Sequence, residues 1–141
     1  MKSLLILCFI VCSFSNTNAQ DNIFGQWMTI DDNSNKPKSI IEIYEKEGMA
    51  FGKIIKLFRE PEEDPDPLCD ECEGTRYNQR IIGMEILSKM KKSDDSWEGG
   101  EILDPENGNI YRCKIWIEDG KLKVRGYVMF LYRTQTWIKE E

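Results

Sequence analysis

The dipeptide Asp119-Gly120 constrains this chain more than any other feature of its sequence. Both residues accept a positive φ, so Asp-Gly between two alternating segments specifies a two-residue hairpin turn of type I′. Such a turn sets Glu118 opposite Lys121 and fixes the register of everything behind it. Ile117 then faces Leu122, Ile115 faces Val124, Cys113 faces Gly126 and Tyr111 faces Val128. The opposite face carries Arg112, Lys114, Trp116, Glu118, Lys121, Lys123, Arg125 and Tyr127. One side is apolar and the other is charged with interleaved aromatics. This is the pattern of a half-buried antiparallel sheet whose dry side lines a core or a ligand cavity.

Similar short apolar stretches recur along the chain between turn signals, and no amphipathic helical window stands out. Strands are expected over 23–30, 39–45, 49–58, 81–89, 97–103, 109–118, 121–130 and 132–139. Polar or Gly/Pro-rich clusters separate them, notably Asp31 to Asn35, Glu47-Gly48, Lys91 to Ser96 and Asp104-Pro105-Glu106-Asn107-Gly108. Eight strands at this spacing predict an all-β antiparallel sandwich or barrel.

The N-terminus reads as a cleaved secretory signal over residues 1–19. Lys2 gives it a positive start, Leu4 to Cys12 is an unbroken apolar core, and Thr17 and Ala19 stand at −3 and −1 of a cut before Gln20. Neither Cys8 nor Cys12 follows the small residues that lipid attachment requires. The apolar core is too short for a membrane span, and no later segment approaches that length. Residues 20–141 are the size of one domain, expected in the periplasm or outside the cell. The net charge of −6 over the whole chain argues against nucleic acid or anionic lipid as a partner. Histidine is absent. With it go the commonest general base, the Ser-His and Cys-His pairs and most catalytic zinc sites.

One stretch, 59–78, breaks the strand pattern. It holds eight acidic residues between Glu60 and Glu73, the prolines Pro61, Pro65 and Pro67, and the motif Cys69-Asp70-Glu71-Cys72. This composition predicts a solvated, flexible surface loop. In an exported chain Cys69 and Cys72 are expected to form a disulfide that staples the loop. A redox-active pair is the alternative, but the flanking carboxylates disfavour a reactive thiolate. Zinc would want four ligands, and Cys113, on the apolar hairpin face, reads as a small buried hydrophobe. The acidic run lacks the ordered spacing of a dedicated calcium loop. It offers instead a surface for a basic protein partner. Asp31-Asp32 and Asp104 read as turn formers.

Gly25-x-Trp27 opens the first strand, and Arg133-Thr134-Gln135-Thr136-Trp137 lies in the last. Ile23, Gly25 and Trp27 share one face, and Arg133, Gln135 and Trp137 share another. A sheet that closes on itself brings first and last strands together and puts Arg133 over Trp27 as a cation–π cap. Trp27, Arg125, Tyr127, Arg133, Gln135 and Trp137 are thus the candidates for plugging the barrel or reading a ligand.

An early Gly-x-Trp and a late arginine in an eight-stranded exported chain resemble the lipocalin pattern. The motifs Lys38-Ser39-Ile40, Gly52-Lys53-Ile54, Cys69-x-x-Cys72-x-Gly74 and Gly100-x-Ile102-x-Asp104-Pro105 resemble, more closely, a bacterial exported family of unknown function. Asn107-Gly108-x-x-Tyr111, Leu122-x-Val124-Arg125-Gly126-Tyr127 and Arg133 to Trp137 extend that resemblance over nearly all of 24–138. It implies a small lipocalin-like up-and-down β-barrel, and it brings no catalytic residue, cofactor or metal. It also implies glycine in the final hairpin turn, where Met129 and Tyr132 stand here. The leading functional expectation is a non-enzymatic barrel for a small hydrophobic or amphipathic ligand. Thiol–disulfide or stress chemistry through Cys69 and Cys72 is one alternative, and an interaction module built on the acidic loop is another. Whether eight strands enclose a cavity or are filled by their own side chains is left open by the sequence.

Overall fold

Eight strands run antiparallel, each hydrogen-bonded to the next in sequence: β1 Gly25–Ile30, β2 Pro37–Lys46, β3 Met49–Leu57, β4 Glu85–Ser93, β5 Ser96–Asp104, β6 Asn109–Glu118, β7 Lys121–Val128 and β8 Leu131–Lys139. β8 returns to β1, pairing Trp27 with Lys139 and Met28 with Ile138, and the sheet closes into a barrel. The computed structural model describes residues 22–141. The expected signal over 1–19, its cleavage before Gln20, and Cys8 and Cys12 lie outside the described residues. No helix among the described residues is long and apolar enough to cross a membrane.

The Asp-Gly hairpin has the register its turn dictates. Glu118 pairs with Lys121, Ile117 with Leu122, Ile115 with Val124 and Cys113 with Gly126. Asp119 and Gly120 have φ of 52° and 71°, as a type I′ turn requires. Glu47-Gly48 repeats the device between β2 and β3, with φ of 54° and 76°.

Two expected boundaries differ. The strand read over 81–89 begins only at Glu85 and runs to Ser93. Gly83, at φ 92°, bends the chain, and the Ile81 N–H is taken by the Pro67 carbonyl and not by a strand partner. The final turn consists of Met129 and Phe130, while Tyr132 lies within β8 opposite Tyr127. Met129 alone takes the left-handed conformation there, at φ 55°.

The loop between β3 and β4 is also more ordered in its second half than its composition predicts. It contains a 3₁₀ turn at Gly74–Arg76 and a bridge between Leu68 and Arg80. Cys69 and Cys72 form a disulfide and are both buried within the hydrophobic core. Part of the acidity is answered locally: Arg80 Nε donates to both carboxylate oxygens of Asp66 at 2.9 and 3.1 Å, and Lys36 reaches Glu60 at 3.4 Å.

Candidate functional site

Strand direction sorts the barrel into two ends. At the end bearing the Glu47-Gly48 and Asp119-Gly120 turns, the strands enclose their own side chains. Trp27 is buried there, its indole N–H donating to the Ile23 carbonyl at 2.7 Å. Trp97 packs edge-on against Phe24 at 5.5 Å. The cation over Trp27 is Lys139, with Nζ 4.6 Å from the ring centroid and donating to the Phe24 carbonyl at 3.0 Å. The expected Arg133 cap is therefore corrected. β8 starts at the far end of the barrel and runs towards Trp27, so only its last residues reach β1 at this end, and Arg133 lies near the start of the strand.

At the other end a cavity of about 580 Å³ opens. Its floor is apolar, built from Ile41, Ile54, Ile86, Leu103, Val124 and Trp137. Gly126 contributes no side chain, which leaves room between Val124 and Val128 on the inner face of β7. A polar pair breaks this wall: the Thr29 and Ser39 hydroxyls are buried and hydrogen-bond to each other at 2.7 Å. The Thr29 hydroxyl also donates to the Ser39 carbonyl at 3.4 Å, so with Ser39 donating to Thr29 both donors are met where the pair faces an apolar space.

The rim is charged but paired. Lys38 meets Glu106 at 2.9 Å. Arg133 is paired with Asp32, whose carboxylate also accepts from Gln135 Nε2 at 3.2 Å. Gln135 Oε1 in turn accepts from the Trp137 indole at 3.1 Å. A chain of contacts thus runs Asp32–Gln135–Trp137, from the solvent edge to the buried floor. Asp31, beside it, is held below the usual carboxylate range by the Ser34 backbone N–H and then the Ser34 hydroxyl. Asp31 and Asp104 both serve as turn formers, each accepting from backbone N–H groups two or three residues on.

Of the six sequence candidates, Arg133, Gln135 and Trp137 line the cavity, as their shared face requires. Trp27 belongs to the filled end. Arg125 and Tyr127 point outward, which removes them from the cavity. The Arg125 guanidinium lies between Trp116, at 4.9 Å, and Tyr132, at 4.2 Å, and its Nε donates to Thr134. The sequence reading missed Thr29, Ser39 and Lys38, the polar part of the wall. The signals were indirect: Thr29 lies two residues after Trp27 on the same face, and Lys38-Ser39 appears only as part of a family-like motif.

The Cys69–Cys72 disulfide packs beside this end. Cys69 Sγ lies 3.4 Å from the carbonyl oxygen of Pro105, a cavity residue. Gly108, at φ 73°, packs so tightly on the Glu71 carbonyl that a Cβ would collide with it. Cys113 is buried on the inner face of β6, where burial pushes its thiol up to about 12. Among the described residues, no group of three or more acidic or cysteine side chains converges as a metal site.

A family model described as an uncharacterized protein conserved in bacteria, DUF2147, matches residues 25–139. No curated protein matches the chain. Among solved structures the chain resembles protein HP1028 from Helicobacter pylori, described as belonging to the lipocalin family. The TM-score is 0.72 at 18% identity, over 85% of this chain and 84% of that one. At that identity the likeness bears on the fold, a lipocalin-like barrel.

Proposed function

The chain belongs to the DUF2147 family of uncharacterized proteins conserved in bacteria, and from its cavity we propose that it is a non-enzymatic binding barrel. Its ligand is one small hydrophobic or amphipathic molecule, held at the open end. The observation that carries this reading is the open-mouthed cavity of about 580 Å³ with an apolar floor and a polar edge. Small-molecule sites occupy about 300–1,000 Å³ and combine apolar walls with a few oriented polar groups. The apolar part of the ligand would rest on Ile41, Val124 and Trp137, and a polar end would meet Arg133, Gln135 and Lys38. Export to the periplasm or beyond is the accompanying inference. It is supported by the leader-like sequence of residues 1–19 and by a disulfide, which persists in oxidising compartments.

The test combines native and engineered protein. Native mass spectrometry of protein recovered from its host envelope is expected to show a chain beginning at Gln20 with a retained small molecule. Gly126→Leu fills the cavity from an extended position that tolerates a side chain, and is expected to weaken binding of an apolar fluorescent probe by about tenfold or more. A protein that carries no ligand and binds the probe equally with and without Gly126→Leu would falsify the proposal.

A further inference from the structure

We propose that the tip of the β7–β8 hairpin is a membrane finger that docks the barrel on the surface of a phospholipid bilayer. Five consecutive apolar or aromatic residues, Val128 to Tyr132, are exposed there, with Met129 and Phe130 at 92% and 88%. Contiguous exposed apolar surface on a soluble domain marks an interaction site. The turn itself points the same way. Met129 takes φ 55°, a conformation that Asn or Gly adopts with less strain, so the sequence keeps a large apolar side chain where hairpin chemistry favours a small polar one.

The occupant follows from shape and from the order of chemistry along the finger. The tip is a convex two-residue turn, whereas a symmetric protein interface needs a broad self-complementary face of about 800 Å² per partner. A convex apolar tip is matched by a medium that deforms around it. Behind Met129 and Phe130 comes the pair Tyr127 and Tyr132, with rings 6.1 Å apart, and behind these Arg125, stacked on Tyr132. Hydrocarbon-seeking tip, amphipathic rings, then a cation that meets headgroup phosphate is the depth order of a membrane interface.

Charge agrees. From Lys121 to Lys139 the hairpin has five basic residues and no acidic one, in a chain of net charge −6. The acidic loop, which joins β3 to β4, emerges at the same end of the barrel as the finger but four strands around the rim from β7 and β8. The finger therefore meets phosphates locally, while the net negative charge denies the whole protein any gain from an anionic surface. Its natural surface is a zwitterionic one, and docking directs the cavity mouth, which Val128 and Leu131 help to line, towards the lipid.

The experiment is co-sedimentation of the purified protein with phosphatidylcholine vesicles. Binding is expected to change little with salt, and the double substitution Met129→Ser/Phe130→Ser is expected to lower it by about tenfold, because binding scales with the apolar area inserted. Both side chains are exposed, so melting temperature is expected to stay unchanged. A second variant, Phe130→Trp, is expected to show blue-shifted emission and quenching by brominated lipid. Absence of binding, equal binding by the double variant, or binding seen only with added phosphatidylglycerol and abolished by salt would each overturn the finger. Self-association in solution that the double variant abolishes, with no vesicle binding, would reassign it to a second copy of the chain. None of these outcomes bears on the cavity, which the Gly126→Leu probe assay reads separately.

Discussion

Trp27 joins three structural tasks in one side chain. It fills the closed end of the barrel, its N–H satisfies the Ile23 carbonyl, and its ring lies under Lys139 where first and last strands meet. Trp27→Ala is expected to destabilise by about 3–5 kcal/mol, since removal of a buried aromatic leaves a cavity that the strands cannot close. Lys139→Ala is expected to cost about 0.5–1 kcal/mol, the range of an exposed cation–π contact. The two are expected to be non-additive by about 0.5 kcal/mol or more in a double-mutant cycle of urea unfolding, as touching residues are. Arg133→Ala is expected to add independently to Trp27→Ala. Coupling of Trp27 to Arg133 and none to Lys139 would reverse the assignment. The burial of Trp27 was legible from Gly25-x-Trp27 opening a strand, but its cation was not. Two basic residues on one strand compete for the cap, and barrel stagger, invisible in a linear sequence, decides between them.

At the scale of the element, the segment between β3 and β4 separates composition from placement. Eight acids and three prolines make 59–78 read as solvated chain, yet Cys69 and Cys72 are buried in the core. A disulfide removes the polarity of two thiols and can replace apolar side chains in a small barrel. By loop-closure entropy alone the pair would matter little, because its ring is short. Burial changes that. Cys69→Ser/Cys72→Ser puts two hydroxyls into an apolar site and is expected to destabilise by about 1–3 kcal/mol. Cys69→Ala/Cys72→Ala is expected to lose less, because no polar group is stranded. Equal and negligible losses in both, read from urea midpoints, would mean that the buried staple contributes nothing. Gly108 tests the same contact from the other side, through its backbone approach to Glu71. By contrast, the Asp119-Gly120 hairpin was fully legible, register included, because turn type alone dictates it.

For the whole molecule, eight antiparallel strands were legible from their spacing and turn signals and closure into a barrel only through the family resemblance, whereas the cavity was not legible at all. Interior volume depends on how stagger and side-chain size combine across all strands. Here they leave one end filled and the other open. The titration behaviour is likewise a property of the whole chain. With no histidine, few groups change charge between about pH 5 and 8, so stability is expected to be nearly flat there. On the alkaline side two groups hold their protons more tightly when folded. Burial pushes the Cys113 thiol from 9.0 up to about 12. Partial burial, then the hydrogen bond that the Tyr44 hydroxyl donates to Glu85 at 2.6 Å, pushes that hydroxyl from 10.0 up to about 12. A raised folded-state value stabilises fully below the unfolded value and is lost as pH climbs through the folded one. Urea midpoints are therefore expected to fall from about pH 9 to 12. Asp31 acts in the opposite direction: its lowered value contributes above 3.8 and is lost as pH falls below it. Cys113→Ala is expected to flatten the first part of the alkaline decline and Tyr44→Phe the second. An alkaline profile unchanged by both substitutions would show that neither group carries the loss.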